Sequence, residues 1–161
     1  MSAVGLLALR LVLSTVMVAH GTHELFGLWS GPGIGPGGLQ FAAARFASMG
    51  FEPAVLLAVL AALIQLVAGG LVGLGLLTRS ASASLAGYLL IMMWRAYLPW
   101  GFFLNWTSDP GRGQGIEYAF VTVGALLCLV LTGAGELSLD GWRARRSDSQ
   151  VLRRARLRGK I

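Results

Sequence analysis

The feature that most constrains this chain is its first apolar segment, residues 3–29, which also contains Arg10, His20, His23 and Glu24. A bilayer core of about 30 Å requires about 20 mostly apolar residues in a helix, and this segment is long enough. Charged and titratable side chains inside such a helix are costly, so they face a bundle interior or a polar cavity and need partners on other helices. The rest of the chain is therefore expected to supply those partners.

The composition also favours a membrane protein. The chain has 161 residues, of which 55% are hydrophobic and 12% charged, and its mean hydropathy is +0.69. Soluble domains carry about 25% charged residues. Eight of the thirteen basic residues lie between Arg143 and Lys160. We therefore predict one membrane domain over residues 1–141 and a basic cytoplasmic tail over residues 142–161, with no nucleic-acid partner.

Four apolar segments predict an all-α integral membrane protein that forms a four-transmembrane-helix bundle. The predicted spans cover residues 3–28, 54–77, 81–104 and 115–135. Between the first two spans, a Gly- and Pro-rich loop is followed by residues 39–51, which predict a short interfacial helix with Arg45 turned to water. Ser80 is the predicted N-cap of the third span. Pro99, near the end of that span, predicts a kink.

The distribution of basic residues predicts the orientation in the membrane. With four spans, both termini lie on one side, and that side carries the basic tail and Arg79. Cytoplasmic loops are rich in Lys and Arg, so we predict a multi-pass protein of the cell (plasma or inner) membrane with both termini in the cytoplasm. Trp29, Trp100 and Trp106 then fall at the outer interface and Trp142 at the inner one.

Each predicted span carries a polar side chain in the outer half of the bundle. The ligand-binding candidates are His20, Gln65, Tyr88, Arg95 and Glu117. We expect them to line one pocket that opens outward, with Arg95 and Glu117 as an ion pair and His20 as the group that titrates near neutral pH. The alternative is a structural polar network that fixes the helix register. The sequence identifies no catalytic residue.

A second polar set lies towards the cytoplasmic end. Arg10 is expected to reach lipid headgroups or to cap an inner helix end, with Glu136 or Asp140 as its partner. In the second span, Ala61, Gln65, Gly69 and Gly73 recur every four residues. Such a stripe lets another helix approach closely, so Gln65 is expected to face protein, where an interhelical hydrogen bond is its simplest role.

Several chemistries find little support in the sequence. Cys128 is the single cysteine, so the chain has no internal disulfide and no Cys-x-x-Cys pair. A metal held by His20, His23 and Glu24 is conceivable, but no further His/Cys cluster supports it, and we predict no metal site. No cofactor is evident in the chain itself.

Several short motifs resemble the DoxX family. They are Arg10, His20-Gly21, Leu25-Phe26-Gly27, residues 49–53 (MGFEP), residues 69–79 (GGLVGLGLLTR), residues 115–119 (GIEYA) and residues 132–140 (TGAGELSLD). The resemblance implies a four-helix membrane protein linked to quinone redox reactions, similar to the small subunit of a thiosulfate:quinone oxidoreductase. Arg10, His20, Gly21, Glu117 and Asp140 match the recurrent polar positions of the family.

Two departures from the family pattern concern charge. The lysine that often follows the His-Gly pair is replaced in the His23-Glu24 region, and the acidic residue often found in the second span is Gln65 here. A pocket of different charge can bind a different ligand, so these departures disfavour thiosulfate chemistry.

Two functions follow as hypotheses. The first is a membrane subunit that binds a quinone or similar apolar redox ligand and serves a partner oxidoreductase, which leaves open whether the chain is itself an enzyme. The alternative is a non-catalytic accessory or assembly subunit of a larger respiratory or redox complex. A small transporter is less favoured, because Pro99 is the single helix interruption. The expected partners are the lipid bilayer and either other membrane subunits or a second copy of the chain.

Overall fold

The computed structural model describes residues 2–31 and 35–157, without the side chains of 148–149 and 151–157, and the described chain is built from six helices. They are α1 (Ala3–Phe26), α2 (Leu39–Ser48), α3 (Ala54–Leu74), α4 (Thr78–Met92), α5 (Glu117–Thr132) and α6 (Leu139–Leu157). A π-helical turn, Ile64–Ala68, lies inside α3, and α4 continues through a π turn, Met93–Tyr97, into a 3-10 turn, Leu98–Trp100. The all-α prediction is confirmed.

Two helices are long and apolar enough to cross a membrane. These are α1, with 24 residues, and α3, with 21 residues, whereas α5 is apolar but shorter. The bounds of α1, α3 and α5 lie within three residues of the predicted spans, and the predicted interfacial segment contains α2. The third predicted span, 81–104, agrees less well, because α4 begins at Thr78 and ends at Met92, with irregular turns continuing to Trp100. Because α6 begins at Leu139, it runs across position 141, where the membrane domain was predicted to end. The last four residues of the predicted tail, 158–161, lie outside the described residues.

Four of the helices pack side by side. Helix α1 contacts α3 and α5, and α4 contacts the same two helices, so the four form a closed bundle. Buried Met17, Val72, Leu85 and Leu126 fill its centre, one from each helix. Consecutive helices of the bundle are antiparallel. We call the end with the start of α1 and the end of α3 the Arg10 end, and the opposite end the His20 end.

Small residues set the distance between α1 and α3. A Cβ atom added at Gly69 would lie 2.9 Å from Cβ of Met17, and one added at Gly21 would lie 2.8 Å from the backbone N of Leu66. At Gly73 it would clash with the Ser14 hydroxyl oxygen. A larger side chain at these positions would push the two helices apart. The predicted close-packing stripe on α3 is therefore confirmed, and its partner is α1.

Helix α2 lies over the His20 end and joins α1, α3 and α4. At its beginning, the backbone N–H of Gly38 donates to the His23 carbonyl of α1 at 2.8 Å. Near its end, Phe46 packs in one cluster with buried Ala58 and Ala61 of α3. After its end, the Met49 carbonyl accepts a hydrogen bond from Arg95, beyond α4, at 2.9 Å. These contacts make α2 a cover on one end of the bundle.

The start of α4 corrects one prediction. The helix begins at Thr78, and its first N–H groups are bound by the carboxylate of Asp140, which accepts from the backbone of Leu77 and of Thr78 at 3.0 Å each. Ser80, the predicted N-cap, lies inside the helix. The free N–H groups at a helix start need an acceptor, and here a distant carboxylate supplies it, so the prediction from local sequence was wrong.

Candidate functional site

A buried carboxylate organises the His20 end of the bundle. Glu24, in the last turn of α1, is only 5% exposed. Its Oε2 accepts a hydrogen bond of 2.7 Å from Nε2 of Gln65, at the π turn of α3. Its Oε1 forms an ion pair with the Arg45 guanidinium of α2. The three side chains therefore tie α1, α2 and α3 together at one point.

The position of Arg45 differs from the prediction. Its side chain was expected to turn to water, but its guanidinium is bound to Glu24, although the side chain as a whole is 43% exposed. A buried carboxylate without a partner is strongly unfavourable, and Arg45 is the cation that α2 brings over it. Gln65 does face protein, as predicted, and it makes the interhelical hydrogen bond that was expected of it.

His20 lies one helical turn before Glu24 and borders two cavities. The first cavity, of about 350 Å³, is lined by Ala19, His20, His23, Trp29 and Arg45. The second, of about 340 Å³, is lined by His20, Tyr97, Leu104, Gln114, Gly115, Tyr118 and Ala119. The centroids of the His20 and Tyr118 rings are 6.3 Å apart, and the rings are tilted by 39°. We call the second space the tyrosine cavity.

The tyrosine cavity combines apolar walls with several hydrogen-bonding groups. His20, Tyr97, Gln114 and Tyr118 supply imidazole, phenol and amide groups, and Leu104 and Ala119 supply apolar surface. The loop that forms one wall is fixed by Glu117, whose Oε2 accepts from the backbone N–H of Leu104 at 3.2 Å. A few polar groups among apolar walls are typical of sites for small organic ligands.

The predicted ion pair between Arg95 and Glu117 is wrong. Arg95 is exposed, and its Nη2 donates to the Met49 carbonyl at 2.9 Å, while its guanidinium lies 5.5 Å from the centre of the Phe51 ring. Among the described residues, the ion pair that forms is the one between Arg45 and Glu24. The π turn Met93–Tyr97 adds a residue to the helical repeat, and Arg95, within that turn, reaches the segment after α2.

Tyr88 lines a different space from His20. It borders a cavity of about 450 Å³ between α2, α3 and α4, whose other walls include Phe46, Phe51, Leu57, Ile64 and Met92. The five candidates for one pocket thus separate: His20 lines the tyrosine cavity, Glu117 holds its wall, Gln65 is buried with Glu24, and Arg95 and Tyr88 lie elsewhere.

At the Arg10 end, the predicted polar residues bind mainly backbone. Arg10 is only 1% exposed, and its Nη2 donates to the Leu137 carbonyl at 2.5 Å. Contact with lipid headgroups is therefore excluded, and the group that Arg10 binds belongs to the loop before α6. Glu136 is exposed, and its carbonyl accepts from Nη1 of Arg145 at 3.0 Å.

Asp140 is the acidic residue that joins this network. Its carboxylate accepts from the Thr78 hydroxyl at 3.1 Å in addition to the two backbone N–H groups. Burial alone would raise the pKa of Asp140, but the hydrogen bonds from Thr78 and Leu77 outweigh it, so the pKa lies below an aspartate's ordinary value. The charged form is thus the one that this site stabilises.

His23 and Glu24, two of the three residues considered as metal ligands, bind other groups of the protein. Nδ1 of His23 lies 2.8 Å from the Leu28 carbonyl, and Glu24 is bound by Gln65 and Arg45. Within the part of the chain that the structure describes, no group of three His, Cys, Asp or Glu side chains is arranged to hold a metal ion.

Sequence reasoning missed several residues of this site. Glu24 was expected to need a partner on another helix but was not counted among the pocket candidates, although it stands four residues after His20, which places it on the same face of α1. Tyr118 follows directly after Glu117, and Tyr97 and Gln114 come from the segments that flank the loop before α5. No local pattern marks Tyr97 or Gln114, because the contact depends on how that loop folds back.

The described chain is an all-α bundle with two helices that are long and apolar enough to cross a membrane. The chain belongs to the DoxX family, a family of membrane proteins, whose sequence model matches residues 5–98. The match runs from the first turn of α1 to the 3-10 turn after α4. No curated protein and no solved structure matches the chain. The motifs at residues 115–119 and 132–140 lie beyond the matched region.

Proposed function

We propose that the chain is a four-span membrane subunit that binds a quinone, or a similar planar apolar redox ligand, in the tyrosine cavity and serves a partner oxidoreductase. The observation that carries the proposal is the place of His20. It stands at a cavity of about 340 Å³ that also contains the polar groups of Tyr97, Gln114 and Tyr118. Family membership supports a membrane setting for this site.

The chemistry of the cavity fits a quinone. Quinone carbonyl oxygens accept hydrogen bonds, and imidazole, phenol and amide groups all donate them. The Leu104 and Ala119 walls suit the apolar ring. Electrons come from the partner protein in this proposal, and the role of the chain is to hold and orient the ligand. Glu24, Gln65 and Arg45 act as positioning residues, because they fix α1 and α2 around His20.

The proposed topology has α1, α3, α4 and α5 as the four spans. The helix packing supports it, since α4 and α5 stand beside the two membrane-length helices. The Arg10 end, with the basic helix α6 and Arg79, would then face the cytoplasm according to the positive-inside rule. The tyrosine cavity would lie in the outer half of the membrane.

The direct test is binding of a short-chain ubiquinone to the purified protein in detergent. We expect His20→Ala and Tyr118→Phe each to weaken binding about tenfold, which corresponds to about 1.4 kcal/mol. Arg95→Ala is the control, because Arg95 was a sequence candidate but lies outside the cavity. Equal affinity of the His20→Ala and wild-type proteins would exclude the tyrosine cavity as the site.

The accessory or assembly role is the second candidate function. It is favoured by the aromatic side chains exposed at the His20 end, among them Trp29, Phe103 and Trp106. Exposed aromatic groups are frequent at protein interfaces and also at membrane interfaces. Native mass spectrometry of protein extracted gently from its membrane separates the two roles. A retained quinone mass supports ligand binding, whereas released protein subunits without a small molecule support the accessory role.

A further inference from the structure

Helix α6 is attached to the bundle at a defined level. Asp140, in its first turn, binds the first residues of α4 through its carboxylate, and its backbone N–H donates to the Gly75 carbonyl at 2.9 Å. Three residues before Asp140, the Leu137 carbonyl accepts a hydrogen bond from Arg10. The start of α6 is therefore level with the end of α3 and the start of α4. In a membrane bundle, that level is the surface of the bilayer.

The first turns of α6 expose the side chains that suit a membrane surface. Trp142 is 45% exposed, and Leu137 and Leu139 beside it are also exposed. The Arg146 guanidinium stacks over the Trp142 ring, 3.7 Å from its centre. Tryptophan is enriched at the headgroup level, and arginine places its stem on apolar surface while its charged group stays in the polar region. Trp142 and Arg146 thus place an aromatic ring and a positive charge together, as at a bilayer interface.

The charge of this segment continues beyond the first turns. Residues 143–160 contain eight basic residues and one acidic residue, Asp148. Arg143, Arg145 and Arg146 are exposed. A basic segment beside a membrane helix is attracted by a leaflet rich in anionic lipids, and the attraction falls off within a Debye length. Because α6 starts at the bilayer surface and rises about 1.5 Å per residue, Arg143, Arg145 and Arg146 lie within about 10 Å of its start and thus within this range.

We propose that α6 is a binding surface for anionic phospholipid headgroups, in which Arg143, Arg145 and Arg146 contact lipid phosphates and Trp142 lies at the headgroup level. The family match ends at residue 98, so this surface lies outside the matched region. The tyrosine cavity is at the opposite end of the bundle. Lipid binding by α6 and quinone binding at His20 are therefore independent of each other.

The test is hydrogen–deuterium exchange of the full chain in lipid nanodiscs. One set contains phosphatidylcholine alone, and the other also contains phosphatidylglycerol. We expect the α6 amides to exchange about tenfold more slowly with phosphatidylglycerol, and high salt to remove most of the difference. The variant R143Q/R145Q/R146Q should lose most of the lipid dependence.

Two controls make the outcome specific. The variant R79Q/R112Q also removes arginines, but both are outside α6, so it should keep the lipid dependence. Unchanged exchange of the α1 and α5 amides shows that each variant keeps its bundle. The proposal is overturned if α6 exchanges equally in the two nanodiscs, or if the triple variant keeps the full difference. It is also overturned if α6 is protected only in native membranes, because a protein would then be the partner.

Discussion

The two ends of the helical bundle bury charged side chains in different ways. At the Arg10 end, Arg10 and Asp140 bind backbone groups: a loop carbonyl and the free N–H groups of a helix start. At the His20 end, Gln65 and Arg45 both bind the carboxylate of Glu24, and His20 lies beside two cavities. Polar groups that bind backbone hold the fold, whereas polar groups at a cavity are available to a ligand.

The comparison predicts that stability depends more on the Arg10 end. Replacing Arg10 with alanine removes a charge-assisted hydrogen bond, leaves the Leu137 carbonyl without its donor and opens a cavity. We expect a loss of about 3 kcal/mol, measured by reversible denaturation in mixed micelles. Arg79→Ala is the matched control, because Arg79 is exposed and makes only a long bond of 3.3 Å to the Leu131 carbonyl. Similar stability of the two variants would contradict a structural role for Arg10.

At the His20 end, we expect a smaller loss of stability, in which the effects of substituting Glu24 and Arg45 are coupled. Glu24→Gln and Arg45→Gln should each destabilise the protein, and the double variant should cost less than the sum of the two. The expected coupling is about 1 kcal/mol, because the exposed part of Arg45 allows solvent to screen the ion pair. A double-mutant cycle in the same micelles measures it. Strict additivity would show that the ion pair contributes nothing to folding.

The smallest predicted effect is a pH dependence at the Arg10 end. Because the pKa of Asp140 is lowered in the folded protein, its contribution is complete above an aspartate's ordinary pKa of about 3.9 and is lost as the pH falls through the folded-state value. Thermal unfolding between about pH 6 and pH 2 should therefore show a steeper acid loss for wild type than for Asp140→Asn. Glu136→Gln, at an exposed position, should follow the wild-type curve. If the Asp140→Asn variant lost stability with falling pH as steeply as wild type, Asp140 would not contribute to the acid sensitivity.

The sequence predicts the elements of this fold well, because their signals are local. Apolar length gives α1 and α3, the run of glycines before residues 39–51 separates α2 from α1, and the four-residue spacing of Gly69 and Gly73 gives the face of α3 that α1 approaches. Each of these signals lies within one segment. The Gln65 hydrogen bond also follows from its place on that face.

The contacts between distant segments are what the sequence leaves undetermined. Asp140 caps α4 across 62 positions, so the local choice of Ser80 was wrong. Arg45 approaches Glu24 because α2 folds over the end of α1, and the amphipathic pattern of α2 alone gives no sign of it. The π turn Met93–Tyr97 changes the face on which Arg95 lies, and no residue in it marks the extra position. The predicted single pocket depended on all three.

The cap on α4 also has a consequence for the order of assembly during synthesis. Chains are elongated at about 5–20 residues per second, so about 3–12 s separate the synthesis of Thr78 from that of Asp140, 62 residues later. The interval between the synthesis of Arg10 and that of Leu137 is even longer, because Leu137 follows 127 residues later. During this interval, Arg10 of α1 lacks the Leu137 carbonyl, and the first N–H groups of α4 lack the Asp140 carboxylate. The Arg10 end is thus the last part of the bundle to close, and a chain that stops before Asp140 never closes it.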